Sequence, residues 1–285
     1  MKHTQKPHPA HHTAHPAAKH AEHKTAHKKA APKYRKLKTG IKGFDELFTE
    51  GIPEGSAVLV EGGPGSGKTI LCLNMTTNFC KQGKKVLYMS FEEPAARLID
   101  HMEAFGWDPG KYIANKQLVI KRFDALDIAR SVEALLSAAK KELLIEVQPM
   151  LFPRDFQPDV VLIDSLTSIS SAFSGEESRF RIYMEQLFRY LESSNITSFL
   201  IRETASPTHT GNVWAEKGEA VSFLADGIVA LYNVYYTKTG YRGVALEVLK
   251  MRGEAIKRKI VEAEITNKGI SVYPNSQIKG DYRLT

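Results

Sequence analysis

The chain of 285 residues is long enough for one large domain or two small ones, and its 42% hydrophobic and 25% charged residues are typical of soluble globular proteins. It contains no run of about 18 apolar residues that would predict a transmembrane helix, and its N-terminus lacks the apolar core of a secretory signal. Residues 1–38 carry nine Lys and one Arg against one Glu, a formal charge of +9, so the rest of the chain carries −2 of the net +7. The basicity therefore belongs to a terminal segment and does not indicate a nucleic-acid-binding fold.

That segment predicts a disordered basic tail at residues 1–34, ahead of one folded domain at residues 35–285. The tail consists mainly of Lys, His, Ala and Pro, holds eight of the ten histidines, and has too few large apolar residues to bury a core. A solvated tail is the simplest interpretation, and an electrostatic arm for nucleic acid or another anionic partner is the alternative. A specific metal site is disfavoured because the histidines are irregularly spaced.

From residue 35 onward, short apolar runs alternate with amphipathic segments. Strands are predicted at 56–62, 84–91, 117–123, 159–165 and 197–203, and helices at about 67–81, 94–105, 127–146 and 177–193. This alternation indicates an α/β fold with a mainly parallel sheet flanked by helices. After Gly227 the pattern changes to consecutive strands with "KTGYRG" as a turn, which predicts a C-terminal antiparallel β-meander at one edge of the sheet.

The two cysteines bear on the cellular compartment. Cys72 and Cys80 lie eight residues apart in a predicted helix, about 12 Å along its axis at 1.5 Å per residue. That distance is too long for a disulfide between them. We expect both cysteines to pack in the protein interior and the protein to reside in the reducing cytoplasm. No membrane partner is expected.

The segment "GGPGSGKT", residues 62–69, satisfies the phosphate-loop pattern G-x-x-x-x-G-K-[ST] between a predicted strand and a predicted helix. Its glycines let backbone N–H groups surround a phosphate, and the helix adds its positive N-terminal end. The predicted nucleotide-binding residues are Gly62, Gly63, Pro64, Gly65, Ser66, Gly67, Lys68, Thr69 and Ile70. Lys68 is expected to reach the β- and γ-phosphates, and Thr69 to place its hydroxyl on Mg²⁺. We expect ATP as the nucleotide, although the loop does not contact the base and GTP stays open.

Three carboxylates are expected at the same edge of the sheet as the phosphate loop. Asp164 ends the apolar strand "DVVLID" and is the predicted second Mg²⁺ ligand. Glu92 and Glu93 follow the strand after the phosphate-loop helix, and ligands of open α/β sheets bind at the carboxyl ends of the strands. At least one of the two glutamates is predicted to take a proton from the water that attacks the γ-phosphate. The sequence does not say which one, and decoration of a helix N-terminus is the structural alternative.

The entry segment "KLKTGIKGFDELFTEGIPEGSAVLVEGGPGSGKT", together with "FEEP", "VVLIDSL" and "VALEVLKMRGEAIKRKIVEAEITNKGI", resembles the KaiC-like branch of the RecA superfamily, in its single-domain form. The resemblance implies a RecA-type ATPase core in hexameric rings, with Glu92 and Glu93 activating water. It also implies that Lys250 and Arg252 of "LKMRG" reach the neighbouring subunit's γ-phosphate as catalytic residues. Autokinase activity is not expected, because Phe223 follows Ser222 where the clock protein of the family has a threonine.

Two further segments are predicted to be loops at the nucleotide edge, residues 165–178 and 204–219. They contain few cations, so strong binding to a nucleic-acid backbone is not expected of them; Trp214 and His209 are more simply explained by packing. Glu203 and Thr204, at the end of a strand, are candidate sensors of the γ-phosphate.

Three functions are compatible with these features. The favoured one is a ring ATPase that acts as a regulatory or signalling switch through a protein partner. The alternatives are an ATP-sensing scaffold with little hydrolysis, resembling ArlH, and a DNA recombination or repair ATPase resembling RadA or RadB.

Overall fold

The structure is a computed structural model that describes residues 35–138, 152–153, 155–204 and 219–285. The predicted tail, residues 1–34, lies outside the described residues. So do the end of the predicted helix 127–146 and nearly all of the predicted loop 204–219, including Trp214 and His209.

The described residues form twelve strands, seven α-helices and one 3₁₀ helix. The strands are β1 (Lys36–Leu37), β2 (Ile52–Pro53), β3 (Ala57–Gly62), β4 (Val86–Ser90), β5 (Leu118–Arg122), β6 (Val160–Asp164), β7 (Thr197–Glu203), β8 (Gly227–Tyr236), β9 (Arg242–Met251), β10 (Val261–Thr266), β11 (Gly269–Gln277) and β12 (Tyr282–Leu284). The helices are α1 (Lys68–Lys81), α2 (Ala95–Ala104), α3 (Pro109–Ala114), α4 (Ala125–Ala138), α5 (Leu166–Ala172), α6 (Glu177–Ser193) and α7 (Glu219–Leu224), with the 3₁₀ helix at Asp45–Leu47.

Ten of the strands form one sheet in the order β5-β4-β6-β7-β3-β8-β9-β10-β11, and β12 pairs with β8. The pairs from β5 to β8 are parallel, and the pairs from β8 to β11 are antiparallel. This topology confirms the predicted α/β class with a mainly parallel sheet and a C-terminal antiparallel meander.

Helices cover the parallel part of the sheet, which explains its continuous apolar strands. All six residues of β3 and all five of β6 are buried. On one side α1 packs against the sheet, with Phe79 stacked on Phe199 at 5.7 Å between ring centroids. On the other side Leu187 and Leu191 of α6 belong to a second buried cluster. Burial on both faces removes the alternation of polar and apolar residues that half-exposed strands show.

The prediction of a loop over residues 165–178 was wrong for half of that segment. Residues 166–172 form α5, and the Ser165 side chain caps its first turn by accepting from the Ser168 N–H. Leu166 and Ile169, three residues apart, bury one side of the helix. The serine-rich composition suggested a loop, but an N-cap and apolar spacing of three residues outweighed the low helix propensity of serine.

The entry segment before β3 and the helix α1 together cover the open edge of β11. The Val272 N–H donates to the Lys42 carbonyl over 2.9 Å, and the Ile270 N–H donates to Asn74 Oδ1 over 3.2 Å. Pro274 has no N–H to offer. These contacts protect an edge strand that would otherwise pair with other chains.

No helix among the described residues is long and apolar enough to cross a membrane.

We predict that Gly43→Ala destabilises the domain much more than Gly83→Ala. Both glycines have a left-handed backbone, φ +74° and +79°, so each alanine costs about 1 kcal/mol in backbone strain. A Cβ at Gly83 meets nothing within 4 Å, whereas one at Gly43 overlaps the Val272 carbonyl oxygen. The overlap should cost about 1–3 kcal/mol more. Urea unfolding measures both variants, and equal losses would show that the entry segment does not hold β11.

Candidate nucleotide-binding and catalytic site

The phosphate loop connects the end of β3 to the start of α1 and needs its glycines. Gly65 and Gly67 have a left-handed backbone, φ +73° and +95°. A Cβ on Gly67 would lie 2.7 Å from the Ile265 Cδ1 of β10, so a larger residue would push the loop away from the sheet. The Lys68 side chain, only 7% exposed, folds back and donates to the Gly63 carbonyl over 2.8 Å.

The loop fits the phosphates of a nucleotide. The first turn of the 14-residue helix α1 directs its free N–H groups and positive end toward the loop. The hydroxyl of Ser66 is buried and has no hydrogen-bond partner among the described residues. With the Lys68 ammonium, these donors form a site whose unused hydrogen bonds suit a multiply charged anion.

Thr69 and Asp164, the predicted Mg²⁺ ligands, are in direct contact. The Thr69 hydroxyl donates to Asp164 Oδ2 over 2.9 Å. The hydroxyl of the fully buried Tyr88 donates to the same oxygen over 2.7 Å. Burial raises the pKa of the Asp164 carboxyl, the hydrogen bonds from Tyr88 and Thr69 oppose that rise, and the charges of Glu92 and Glu93 add to it. A hydroxyl and a carboxylate oxygen match the oxygen ligands of Mg²⁺, and these two residues would hold it.

The two glutamates after β4 have different surroundings. Because β4 pairs with β6, Ser90 lies opposite Asp164 and both glutamates enter the site from the neighbouring strand. Glu92 Oε1 accepts from the Ser165 hydroxyl over 2.6 Å and from the Ser168 hydroxyl over 2.9 Å. These two donors at the start of α5 fix the position of the Glu92 carboxylate.

Glu93 is held by its backbone instead. Its N–H donates to the Ser90 hydroxyl over 3.0 Å, and its carbonyl accepts from that hydroxyl over 2.7 Å. Its carboxylate lies 3.9 Å from both Arg97 and His101 of α2. The turn is therefore firmly positioned, while the Glu93 carboxylate makes only long contacts with exposed groups.

Glu203 and Thr204, the candidate γ-phosphate sensors, lie at the same edge. Glu203 Oε1 is 3.6 Å from the Lys68 nitrogen, and the Glu203 N–H donates to the Thr167 hydroxyl over 2.8 Å. The hydroxyl of Thr204 is buried without a partner among the described residues. The carboxylate of Glu203 is thus close enough to respond to a charge placed beside Lys68.

Lys250 and Arg252 are not brought to the phosphate loop of their own chain. Lys250 pairs with Ile228 at the amino end of β8, whereas Gly62 pairs with Leu231 farther along that strand. Their side chains bind carbonyls at the end of α7 instead. Lys250 donates to Ala225 over 2.6 Å and Ser222 over 3.2 Å, and Arg252 donates to Phe223 over 2.7 Å. Burial and the neighbouring Arg252 lower the pKa of the Lys250 ammonium.

Several residues of the site were missed in the sequence. Tyr88 could have been noticed as a phenol in an otherwise aliphatic strand, but its contact with Asp164 joins residues 76 apart. Ser165 and Ser168 were placed in a loop without a role. Asn233, whose side-chain amide donates to the Pro64 carbonyl over 3.0 Å, and Ile265, which lies against Gly67, carry no local signal, since only sheet pairing brings them to the phosphate loop.

A family model described as "ATPase: KaiC" matches residues 37–277. The chain belongs to the KaiC ATPase family. The predicted resemblance is confirmed, and the α/β core is that of a RecA-superfamily ATPase domain of the KaiC type.

Relatives of this KaiC-family chain include single-domain proteins of similar length. A UPF0273 protein from Thermotoga maritima is 30% identical over 265 residues. The match covers 86% of this chain and 99% of the relative. A UPF0273 protein from Aeropyrum pernix is 31% identical, covering 88% and 98%. The circadian clock oscillator protein KaiC from Parathermosynechococcus lividus is 28% identical over 84% of this chain but only 42% of its own length. The crystal structure of a KaiC-like protein from Pyrococcus horikoshii matches with a TM-score of 0.66 and 28% identity, over 85% of this chain and 100% of that one.

We predict that Tyr88→Phe destabilises the KaiC-family domain while Tyr183→Phe does not. Both phenols are buried. Tyr88 donates to the Asp164 carboxylate, and a hydrogen bond to a charged group contributes about 1.5–3 kcal/mol. The Tyr183 hydroxyl has no partner among the described residues, so removing it loses no hydrogen bond. Urea unfolding without nucleotide or Mg²⁺ compares the variants, and a loss in Tyr183→Phe equal to that in Tyr88→Phe would contradict the role given to the Asp164 contact.

Proposed function

We propose that this chain is a Mg²⁺-dependent ATPase that hydrolyses ATP to ADP and phosphate in a homo-oligomeric ring, hexameric as the family resemblance implies, and acts as a regulatory switch. The observation that carries the proposal is the position of Glu92. Glu92 follows β4, and two serine hydroxyls hold its carboxylate at the sheet edge where Thr69 and Asp164 pair. A positioned carboxylate beside a phosphate loop is the arrangement that hydrolysis of a γ-phosphate requires.

The residues of the site divide the work of hydrolysis. Lys68 exchanges the Gly63 carbonyl for the β- and γ-phosphate oxygens and offsets their charge. Thr69 and Asp164 would hold Mg²⁺, which would supply further neutralisation of phosphate charge. Ser165 and Ser168 both donate to Glu92 Oε1, which leaves Oε2 to accept a proton from the attacking water. The hydrogen bonds from Tyr88 and Thr69 favour the ionised form of Asp164 against the effect of its burial, and in that form Asp164 would hold the metal with Thr69.

Glu92 is assigned as the general base in preference to Glu93. Orientation of the base contributes much of its effect, and the two serine hydroxyls orient Glu92 over short distances. The Glu93 carboxylate has no such short contacts among the described residues and lies 3.9 Å from Arg97 and from His101, both on α2. Glu93 then acts through its charge and through the turn that its backbone forms with Ser90.

Lys250 and Arg252 complete the site of the neighbouring subunit. They lie too far along the sheet to serve their own phosphate loop, so a role in phosphate chemistry requires a second copy of the chain. They end beside Phe223, which is 68% exposed, and exposed aromatic and Arg side chains together are typical of the core of an interface. A ring with head-to-tail contacts would place each pair at the next site.

A switch also needs a connection between the nucleotide site and the interface. The Arg202 guanidinium binds the Glu61 carboxylate and donates to the Ser222 hydroxyl over 2.9 Å. Glu61 directly precedes the phosphate loop, and Ser222 lies on α7, whose carbonyls bind Lys250. This chain of contacts supports coupling between the occupancy of one site and the residues offered to the next.

We predict that Glu92→Gln lowers kcat for ATP by about 100-fold or more, the usual contribution of a general base. Glu93→Gln should lose less than about tenfold, because its carboxylate makes only weak exposed contacts. ATP turnover of the assembled ring is measured for both variants, the double variant and Glu103→Gln, an exposed control on α2. Binding of a fluorescent ATP analogue shows that the site is intact.

Other outcomes of that experiment select other functions. A wild-type ring that binds ATP but is as inert as the double variant would overturn the ATPase proposal in favour of an ATP-sensing scaffold. Turnover of the wild type is also measured with single-stranded DNA, and strong stimulation would favour a recombination or repair ATPase.

The role in trans is tested by mixing subunits. Rings of Glu92→Gln alone and of Arg252→Ala alone should both be inactive. In rings assembled from equal amounts, about a quarter of the interfaces pair an intact glutamate with an intact arginine, since each interface draws its two subunits independently. We expect activity to return to about that fraction of wild type. If the mixture stays inactive, Arg252 does not act across an interface.

A further inference from the structure

The hairpin of β8 and β9 extends beyond the phosphate loop and carries an unusual row of side chains. Tyr235 pairs with Arg242 of β9 on one side and with Arg283 of β12 on the other. Directly paired residues of neighbouring strands share a face, so one tyrosine lies between two arginines. We call these three residues the Arg–Tyr–Arg ladder. The Arg242 guanidinium lies 6.0 Å from the centre of the Tyr235 ring.

The ladder lies on the same face of the sheet as the phosphate loop. Asn233, two residues before Tyr235, donates to the Pro64 carbonyl of the loop over 3.0 Å, and residues two apart in a strand share a face. The ladder is therefore about 7 Å along β8 from that contact. Tyr235 is 40% exposed, and both arginines are exposed, so the ring and the cations are all accessible.

The charges of the meander separate by face. Glu262 pairs with Ala245, and Ala245 pairs with Tyr232, which places Glu262 on the face opposite to the ladder. Glu247 and Glu264 share that opposite face by the two-residue repeat. Strands β8 to β11 place no Asp or Glu on the face of the ladder. At the hairpin tip, Lys238 and Asp281 form an ion pair over 2.7 Å, and their charges cancel. The two arginines of the ladder therefore give this end of the hairpin a net positive charge.

Three tyrosine rings on the opposite face of the hairpin stabilise the strands that carry the ladder. Tyr236 lies 5.7 Å from Tyr241 and 6.5 Å from Tyr282 between ring centroids. These three rings tie the ends of β8, β9 and β12 together. The ladder is thus built on three packed strands, so that little conformational entropy is lost when a ligand binds.

We propose that the Arg–Tyr–Arg ladder binds single-stranded nucleic acid, with a base stacked on Tyr235 and phosphates on Arg242 and Arg283. An exposed aromatic ring between cations is the combination by which proteins bind single strands, since every base offers a π-face and every nucleotide a phosphate. An acidic protein segment would use the arginines but has no need of the ring. The three residues of the ladder are not among those assigned to the ATPase site.

Binding of a fluorescein-labelled 20-mer of deoxythymidine to the full chain, followed by anisotropy, tests the proposal. We expect Tyr235→Leu to weaken binding about 5- to 150-fold, the range for loss of one stacked base. The matched control is Tyr273→Leu, which removes a tyrosine of similar exposure, 37%, on β11. The tail is present in every variant and contributes the same background, and thermal unfolding shows that each variant is folded.

The arginines give a second, independent result. The double variant Arg242→Gln/Arg283→Gln should reduce the slope of log affinity against log salt by about 1.4, since each phosphate contact of a single strand contributes about 0.7. Arg130→Gln, an exposed arginine on α4, is the control. An oligonucleotide carrying 5-iodouracil should crosslink to the peptides that contain Tyr235 or Arg283.

The outcomes separate clearly from those of the ATPase proposal, because they measure binding and not turnover. Equal affinities of Tyr235→Leu and Tyr273→Leu would overturn the ladder proposal, as would crosslinks confined to residues 1–34. If polyglutamate competes as well as the oligonucleotide and loses as much affinity in Tyr235→Leu, the surface binds acidic protein and the proposal is wrong.

Discussion

The hydrogen bond from Thr69 to Asp164 joins the first turn of α1 to the carboxyl end of β6, and the arrangement of the site depends on it. A carboxylate buried this deeply is tolerated because two donors, the hydroxyls of Thr69 and Tyr88, satisfy the same oxygen. The bond fixes the phosphate loop relative to the sheet. The pairing of β4 with β6 brings Glu92 to the same edge, where it is held by Ser165, which directly follows Asp164, and by Ser168. The phosphate loop, the candidate metal ligands and the candidate base are thereby held close together at one edge of the sheet.

The sheet separates two sets of functional residues along its strands. The phosphate loop and the carboxylates gather at the carboxyl ends of the parallel strands, while Lys250 and Arg252 lie at the amino end of β8. Within one chain these sets do not meet. The helix α7 stands between them, bound by Lys250 through its last carbonyls and by Arg202 through Ser222. Such a division suits an assembly in which each subunit offers half of a site to its neighbour and the nucleotide in one site affects the next.

The antiparallel meander does more than close the sheet. Asn233 on β8 donates to the phosphate loop, and Ile265 on β10 lies against its Gly67, so the meander forms part of the candidate nucleotide site. The same strands place their acids on one face and the Arg–Tyr–Arg ladder on the other. Because residues alternate between the faces of a strand, the meander can carry its acids on one face and the exposed cations and ring of the ladder on the other.

The sequence by itself determined the fold class, the phosphate-loop motif and the edge of the sheet where the candidate site residues gather, because these follow from local patterns: continuous apolar strands, a glycine-rich turn before a helix, and carboxylates at strand ends. It could not distinguish Glu92 from Glu93, which are adjacent and chemically identical. Only the tertiary structure separated them, through two serines more than 70 residues away that strand pairing brings to Glu92. The contact of Tyr88 with Asp164 and the Arg–Tyr–Arg ladder likewise form only when the strands pair. Strand register depends on packing of the whole sheet, and it decides which distant side chains share a face.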